Sequence, residues 1–114
     1  MRNRRSWFAI AAIALVALIA SGCAQEVGLP DDADAELIAG QDVFRARCAQ
    51  CHGVDGGGGI GFSLRAIEDR LTDVEQRSVV VDGRKAMPSF RLTLTEGDIE
   101  AVVRYTREIL SNAS

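Results

Sequence analysis

The chain has 114 residues, of which 47% are hydrophobic and 25% charged, and this length suits one small domain. Its 13 basic and 16 acidic residues give a formal net charge of −3, so a basic face for nucleic-acid binding is not expected. Three cysteines and one histidine leave few side chains for a closed zinc site with four ligands.

Residues 1–22 are typical of an export signal. Three arginines precede an unbroken apolar run over 7–20, and small residues follow that run. The run has 14 residues, fewer than the roughly 20 that a membrane-spanning helix needs. We therefore expect 1–22 to be removed, with an uncleaved signal anchor as the alternative. The remaining 92 residues would carry 10 basic and 16 acidic side chains, a net charge of −6.

Cys23 follows Ala20-Ser21-Gly22, and this stretch resembles the lipobox of bacterial lipoproteins. The resemblance implies that the Cys23 sulfur receives a diacylglycerol and that Cys23 becomes the new N-terminus. The lipobox prefers Leu where this chain has Ala20, so ordinary cleavage with a free Cys23 is the alternative. Because an odd cysteine in an exported protein calls for an explanation, we expect lipidation. Acyl chains, at about 0.8 kcal/mol per buried CH₂, would hold the protein on a membrane.

A short tether and a helix are expected next. Residues 23–33 contain glycine, proline and several acids, which favours a flexible tether with a reach of roughly 20 Å. From Asp34 onward, Phe44 and Cys48 belong to a series of residues at helical spacing, which predicts a first helix over about 34–49.

Residues 48–52 read Cys-Ala-Gln-Cys-His, the attachment pattern of a c-type haem. On one turn of helix, Cys48 and Cys51 share a face, so each thiol can add to one vinyl group of the haem. His52 follows directly and can place an imidazole nitrogen on the iron. The motif therefore predicts haem c, its two covalent anchors and one axial ligand.

Two other interpretations of this motif are weaker. A thioredoxin-type redox pair belongs in a strand–helix–strand setting, and no parallel sheet is predicted here. A closed zinc site needs four Cys or His ligands, whereas the chain has four such residues in total and Cys23 has another expected use.

The rest of the chain predicts a glycine-rich loop and two more helices. Residues 53–61 contain six glycines, which favours a loop whose backbone passes close to the haem. No Lys-Ser/Thr follows, as a phosphate-binding loop would require. A short helix is predicted over about 73–82, ended by Gly83, and a last amphipathic helix over about 96–111.

Met87 is the candidate for the second axial ligand. Apart from Met1 it is the only methionine, and it lies in a loop before Pro88 rather than on an apolar helix face. His/Met ligation is the low-spin arrangement of electron-transfer haems and raises the reduction potential. Lys85 is the alternative ligand, although it would first have to lose its proton.

In their order and spacing, the helix, the Cys-x-x-Cys-His motif, the glycine loop, the Met-Pro loop and the final helix resemble the class I c-type cytochromes. The resemblance covers about 34–111, within an expected domain over 34–114. It implies an all-α fold, with three to four helices wrapped around one covalently bound haem. It also implies that Gly40 and Phe44 meet Tyr105 where the first and last helices cross.

The family often has Gly-Pro-x-Leu after the glycine loop, where this chain has Gly61-Phe62-Ser63-Leu64. The resemblance implies that the carbonyl of Phe62 accepts a hydrogen bond from Nδ1 of His52, because a carbonyl needs no particular side chain. It also places Leu64 on the haem face. No Trp lies beyond residue 22, so the resemblance names no partner for the haem propionates.

The sequence therefore favours a monomeric carrier of single electrons, not an enzyme, that is lipid-anchored to a bacterial membrane outside the cytoplasm. Its partners would be an oxidase, a reductase or a dehydrogenase. The alternatives are a peroxidase-like haem enzyme subunit, with an open position on iron, and a haem-based gas sensor with a displaceable Met87. Basic residues on both sides of the haem segments could steer the domain toward an acidic partner; they are Arg45, Arg47, Arg84, Lys85 and Arg91.

Overall fold

The computed structural model describes residues 25–113, and these residues form helices joined by turns, without an extended strand. The elements are α1 (Ala35–Arg47), α2 (Ala49–His52), a 3₁₀ turn (Ile67–Asp69), α3 (Asp73–Asp82) and α4 (Glu96–Tyr105), which continues into a π-helical turn (Thr106–Leu110). The all-α prediction is confirmed. The predicted helices over 34–49 and 73–82 agree with α1 and α3 to within two residues, and the one over 96–111 agrees with α4 together with its π-helical turn.

The helices begin at polar caps that the sequence places there. Asp34 accepts a hydrogen bond from the backbone N–H of Leu37 at 3.0 Å and starts α1. Thr72 and Thr95 start α3 and α4, each within a reciprocal pair of hydrogen bonds to the acid three residues later. Gly83 ends α3 with a φ of +77°, as its predicted role as a helix terminator requires.

The backbones of α1 and α4 approach closely where the two helices cross. A Cβ atom at Gly40 would lie 2.1 Å from the carbonyl oxygen of Ala101, so only glycine lets the two backbones approach. Beside it, the rings of Phe44 and Tyr105 pack with centroids 5.6 Å apart and planes at 49°. The predicted meeting of Gly40, Phe44 and Tyr105 is confirmed.

The buried apolar side chains belong almost entirely to these two helices and the turn after α4. In α3 the one buried side chain is polar: Gln76 donates to the hydroxyl of Thr106 at 2.7 Å. The buried apolar residues are Leu37, Phe44, Ile67, Ile99, Ala101, Val102, Val103, Tyr105 and Leu110. The core therefore lies between α1 and α4, and α3 joins it mainly through a polar contact.

The segment before α1 differs from the expected flexible tether. Val27 and Leu29 pack against the buried cluster that includes Phe44, and Gln41 donates from Nε2 to the carbonyl of Val27 at 3.2 Å. The structure thus gives 26–29 contacts with the domain that a free tether would lack. The physical reason for these contacts is that the apolar side chains of Val27 and Leu29 pack against apolar surface beside α1. The predicted signal peptide and Cys23 lie outside the described residues.

Within 25–113, no helix combines the length and the apolar character needed to cross a membrane.

Candidate haem site

The end of α1 leads directly into the Cys-x-x-Cys-His motif. The N–H of Cys48 donates to the carbonyl of Phe44 at 2.8 Å, which makes Cys48 the last hydrogen-bonded residue of α1. The carbonyl of Cys48 then accepts from the N–H groups of Cys51 and His52 at 3.1 and 2.9 Å. The motif therefore forms one helical turn, as predicted, and all three side chains are half-buried.

Burial raises the pKa of the Cys48 thiol to about 11, and the nearby Cys51 adds to this shift. A thioredoxin-type pair has the opposite character, because its attacking cysteine has a lowered pKa. At neutral pH Cys48 is thus a protonated thiol, which disfavours the redox-pair interpretation. In the described part of the chain, no three His, Cys, Asp or Glu side chains cluster closely enough to hold a metal ion.

The imidazole of His52 is fixed by the loop that follows it. Its Nδ1 lies 2.7 Å from the carbonyl oxygen of Phe62. A carbonyl can only accept, so Nδ1 carries the proton and Nε2 keeps a lone pair available for a metal. The predicted hydrogen bond is present although Phe62 stands where the family often has proline.

Gly61 supplies a second constraint on the same ring, and the sequence reasoning missed it. A Cβ atom at Gly61 would lie 2.9 Å from Cε1 and 3.0 Å from Nδ1 of His52. The N–H of Gly61 also donates to the carbonyl of Cys51 at 2.7 Å. The glycine loop was predicted to pass close to the haem. In the structure its backbone lies against the ring of His52, the candidate iron ligand. The density of glycines directly after the histidine was the available signal.

The other residues predicted to bind the cofactor lie at different depths. Leu64 is half-buried and packs against the cluster around Phe44. The side chain of Phe62 is 76% exposed, so Phe62 acts on His52 through its carbonyl alone.

Met87 lies in a tight turn directly after α3. The N–H and C=O groups of Arg84 and Met87 bond to each other at 3.1 and 3.0 Å, and Lys85 takes a φ of +55° between them. A Cβ atom at Gly83 would come within 2.7 Å of the Met87 carbonyl oxygen, so the turn needs glycine at its start. The turn thus fixes the backbone of Met87, whose side chain is half-buried.

These residues fit a covalently attached haem. Two thiols lie on one helical turn, an imidazole has its Nε2 free, and a thioether is presented by a constrained turn. The valines of α3, over 79–81, are half-buried, and they offer apolar surface suited to a macrocycle.

Residues 35–105 match the protein family described as cytochrome C oxidase, cbb3-type, subunit III. The chain belongs to the class I c-type cytochromes. As a member, it carries covalently bound haem c and is a monohaem electron carrier. The matched residues run from the start of α1 to the end of α4 and so include the whole attachment motif.

Two curated cytochromes illustrate the relationship. Cytochrome c6 of Cyanidioschyzon merolae is 40% identical over 78 residues, which cover 62% of this chain and 72% of the relative. Cytochrome c55X of Paracoccus denitrificans is 34% identical over 99 residues, which cover 84% of this chain and 93% of the relative.

Two solved structures are similar to this chain in fold. Cytochrome c6 from the diatom Phaeodactylum tricornutum superposes with a TM-score of 0.55 at 31% identity, covering 61% of this chain and 88% of that one. Dihydro-heme d1 dehydrogenase NirN superposes with a TM-score of 0.58 at 30% identity over 67% of this chain. The present chain spans only 16% of the length of the NirN chain.

The predicted basic surface is smaller than the sequence suggested. Arg45 pairs with Glu26, and Arg91 pairs with Asp82. Three of the five basic residues remain exposed and make no ion pair within 25–113: Arg47, Arg84 and Lys85. Arg84 and Lys85 belong to the turn that carries Met87.

Proposed function

We propose that this cytochrome is a membrane-tethered electron carrier in which Cys48 and Cys51 would hold the haem through thioethers and His52 and Met87 would ligate its iron. The observation that carries the proposal is the 2.7 Å contact between Nδ1 of His52 and the Phe62 carbonyl, because it leaves the lone pair of Nε2 available for a metal. When bound, haem c supplies one-electron exchange between ferric and ferrous iron.

Each residue of the site has a separate task in this proposal. His52 donates a hydrogen bond from Nδ1 to the Phe62 carbonyl, which orients the ring and keeps the lone pair on Nε2. Met87 contributes a thioether, the ligand type that favours the reduced state and a higher potential. Leu64 covers apolar surface beside the cluster around Phe44.

Replacing Met87 by Ala tests the axial assignment. We expect the variant to bind carbon monoxide in the reduced state and to show a lower reduction potential, because a sixth ligand and its thioether are removed. Leu92→Ala is the matched control, since Leu92 is 95% exposed and lies in the same loop region. A Met87→Ala protein with an unchanged potential and no carbon monoxide binding would assign the ligand to another residue.

The second part of the proposal concerns the membrane. Residues 1–22 would be removed on export, Cys23 would carry the lipid, and 34–114 would form the haem domain outside the cytoplasmic membrane. The lipobox-like stretch ending at Cys23 supports this assignment. Mass spectrometry of the mature protein checks it: an acylated Cys23 as first residue is expected, and a free Cys23 thiol would reject it.

This carrier would act as a monomer. Its partners would be redox proteins with an acidic docking surface. The exposed Arg84 and Lys85 lie beside Met87, on a domain of otherwise acidic composition. Charges placed in this way orient a protein during its approach and act mainly on the association rate.

A haem enzyme or its subunit is the second candidate, because the fold also superposes on part of dihydro-heme d1 dehydrogenase NirN. A gas sensor would share the same requirement, a readily opened position on iron. Rapid binding of carbon monoxide by the unmodified reduced protein would favour these functions over electron transfer.

A further inference from the structure

Residues 25–29, here named the N-terminal strap, are fastened to α1 by polar contacts. The Glu26 carboxylate meets the Arg45 guanidinium at two points, with Oε1 to Nε at 2.9 Å and Oε2 to Nη2 at 3.0 Å. One turn earlier on α1, Gln41 donates from Nε2 to the carbonyl of Val27 at 3.2 Å. The two contacts act on neighbouring residues and so fix the direction of the strap, not only its position.

Apolar packing fastens the same residues. Val27 and Leu29 are half-buried against the buried cluster formed by Phe44, Val102, Tyr105 and Leu110. The chain then turns, with the N–H of Ala33 donating to the Pro30 carbonyl at 3.0 Å, and enters α1 at the Asp34 cap. The chain is therefore held from Glu26 into the first helix.

This arrangement leaves very little free chain between the domain and Cys23. Gln25 is two residues from Cys23 in the sequence, a span of at most about 7 Å for a fully extended chain. A free linker over the whole of 23–33 would instead reach roughly 20 Å. A lipid on Cys23 would thus lie next to the point where the strap leaves the domain.

The surface at that point is balanced in charge. Gln25 borders a concave surface that also contains Asp55, Arg65, Asn112 and Ala113. Asp55 and Arg65 form an ion pair at 2.8 Å, and Glu26 beside them is neutralised by Arg45. The charged side chains that border this surface are therefore paired, and the excess of acidic residues lies outside its lining.

We propose that the N-terminal strap orients the haem domain on the bilayer, with the surface around Gln25, Asp55 and Asn112 against the lipid headgroups. This inference rests on the proposed lipidation of Cys23. The residues that border this surface include none from 83–91. In the proposed orientation the turn with Arg84 and Lys85 would be presented to a redox partner. The strap would convert a lipid attachment, which by itself sets no orientation, into a fixed presentation of the Met87 side.

The first test measures whether the strap is docked, and it needs no lipid. In the reduced holoprotein with Cys23→Ser, backbone order parameters of Val27 and Leu29 should equal those of α1, at about 0.85, and fall below about 0.6 in a Val27→Gly, Leu29→Gly variant. Order parameters below about 0.6 in the protein without these glycines would overturn the proposal.

The second test measures orientation. Cys23 is the one cysteine outside the haem motif, so the holoprotein can be coupled there to a maleimide lipid in phosphatidylcholine nanodiscs that contain a gadolinium lipid. We expect the amide of Asn112 to be broadened several-fold more than that of Ala86. Insertion of six Gly-Ser residues between Gln25 and Glu26 should remove the difference. Equal broadening without the insertion would overturn the proposal.

The two assignments fail in different ways. A free Cys23 thiol in protein isolated from its membrane would reject natural lipidation and the membrane role with it. The chemically coupled protein reports the orientation that the strap imposes whether or not cells lipidate Cys23.

Discussion

The crossing of α1 and α4 and the region over 71–94 cover their apolar side chains in different ways. At the crossing, Phe44 and Leu110 are fully buried by other protein side chains. Over 71–94 the only buried side chain is Gln76, and the three valines over 79–81 are half-buried. One half of the fold is thus packed by the chain alone, whereas the half with Met87 offers half-covered apolar surface suited to the haem.

The largest effect should follow from removing both haem anchors. In a Cys48→Ser, Cys51→Ser protein we expect no covalent haem and no cooperative unfolding transition, because so small a chain has a modest core. Denaturing electrophoresis with haem staining and circular dichroism give the two readouts. Covalent haem in this variant, or a transition like that of the unmodified holoprotein, would show that the comparison between the two halves is wrong.

Truncation of a side chain in each half should sharpen the comparison. Phe44→Ala should cost about 3–5 kcal/mol of the free energy of unfolding, as large core side chains do. Leu92→Ala should change it by less than about 0.5 kcal/mol, because Leu92 is 95% exposed. Denaturant unfolding of the two holoproteins measures both values. Similar losses of unfolding free energy in the two variants would show that the two halves do not differ in this way.

Glycine substitutions test the close approach at the crossing. Gly40→Ala should destabilise the protein by about 1–3 kcal/mol, because the added Cβ would sit 2.1 Å from the Ala101 carbonyl oxygen. Gly97→Ala is the matched control: its Cβ would meet nothing nearer than 4.0 Å, and alanine favours a helix by about 0.5–1 kcal/mol. Thermal melts should therefore shift in opposite directions.

Reversal of the exposed charges beside Met87 should change kinetics and leave stability almost intact. For Arg84→Glu with Lys85→Glu, we expect a slower second-order reaction with an acidic redox partner at low salt and a weaker or inverted salt dependence. Reduction by a small neutral reagent should proceed at the unaltered rate. If the partner reaction is also unaltered at low salt, these residues do not steer docking.

The smallest expected effect concerns pH. The backbone N–H of Leu37 lowers the pKa of Asp34 from 3.8, that of Thr72 lowers the pKa of Glu75 from 4.5, and the Thr95 hydroxyl lowers the pKa of Asp98 from 3.8. The folded state binds these protons less readily than the unfolded state, so the stabilisation is present at neutral pH and is lost as pH falls below about 4. Melting temperatures should be level from pH 7 to 5 and fall below that range, less steeply in Thr95→Ala. An equal fall in Thr95→Ala would assign the acid sensitivity to other groups.

The features that the sequence could predict are those encoded over short distances. The Cys48–His52 motif, the Thr95 cap and the Gly83 terminator each depend on residues within one or two turns. The docking of Val27 on α1 could not be predicted in the same way, because it depends on a surface that exists only after α1 and α4 have crossed.

Ion pairing explains a second difference between expectation and structure. Five basic residues near the haem segments suggested a broad positive surface, yet Arg45 finds Glu26, 19 positions earlier in the chain. Spacing along the sequence does not predict a contact between residues so far apart in the chain. The hydrogen bond from His52 to Phe62 was predictable because the family resemblance concerns backbone geometry, which survives the loss of the proline.

The most direct test of the account is the visible spectrum of the unmodified reduced holoprotein before and after carbon monoxide is added. If His52 and Met87 ligate the iron of a single electron-carrying haem, the iron should be low-spin and six-coordinate in both oxidation states, and carbon monoxide should leave the reduced spectrum unchanged. A high-spin spectrum, or rapid conversion to a carbon monoxide adduct, would contradict the account and favour a haem enzyme or a sensor.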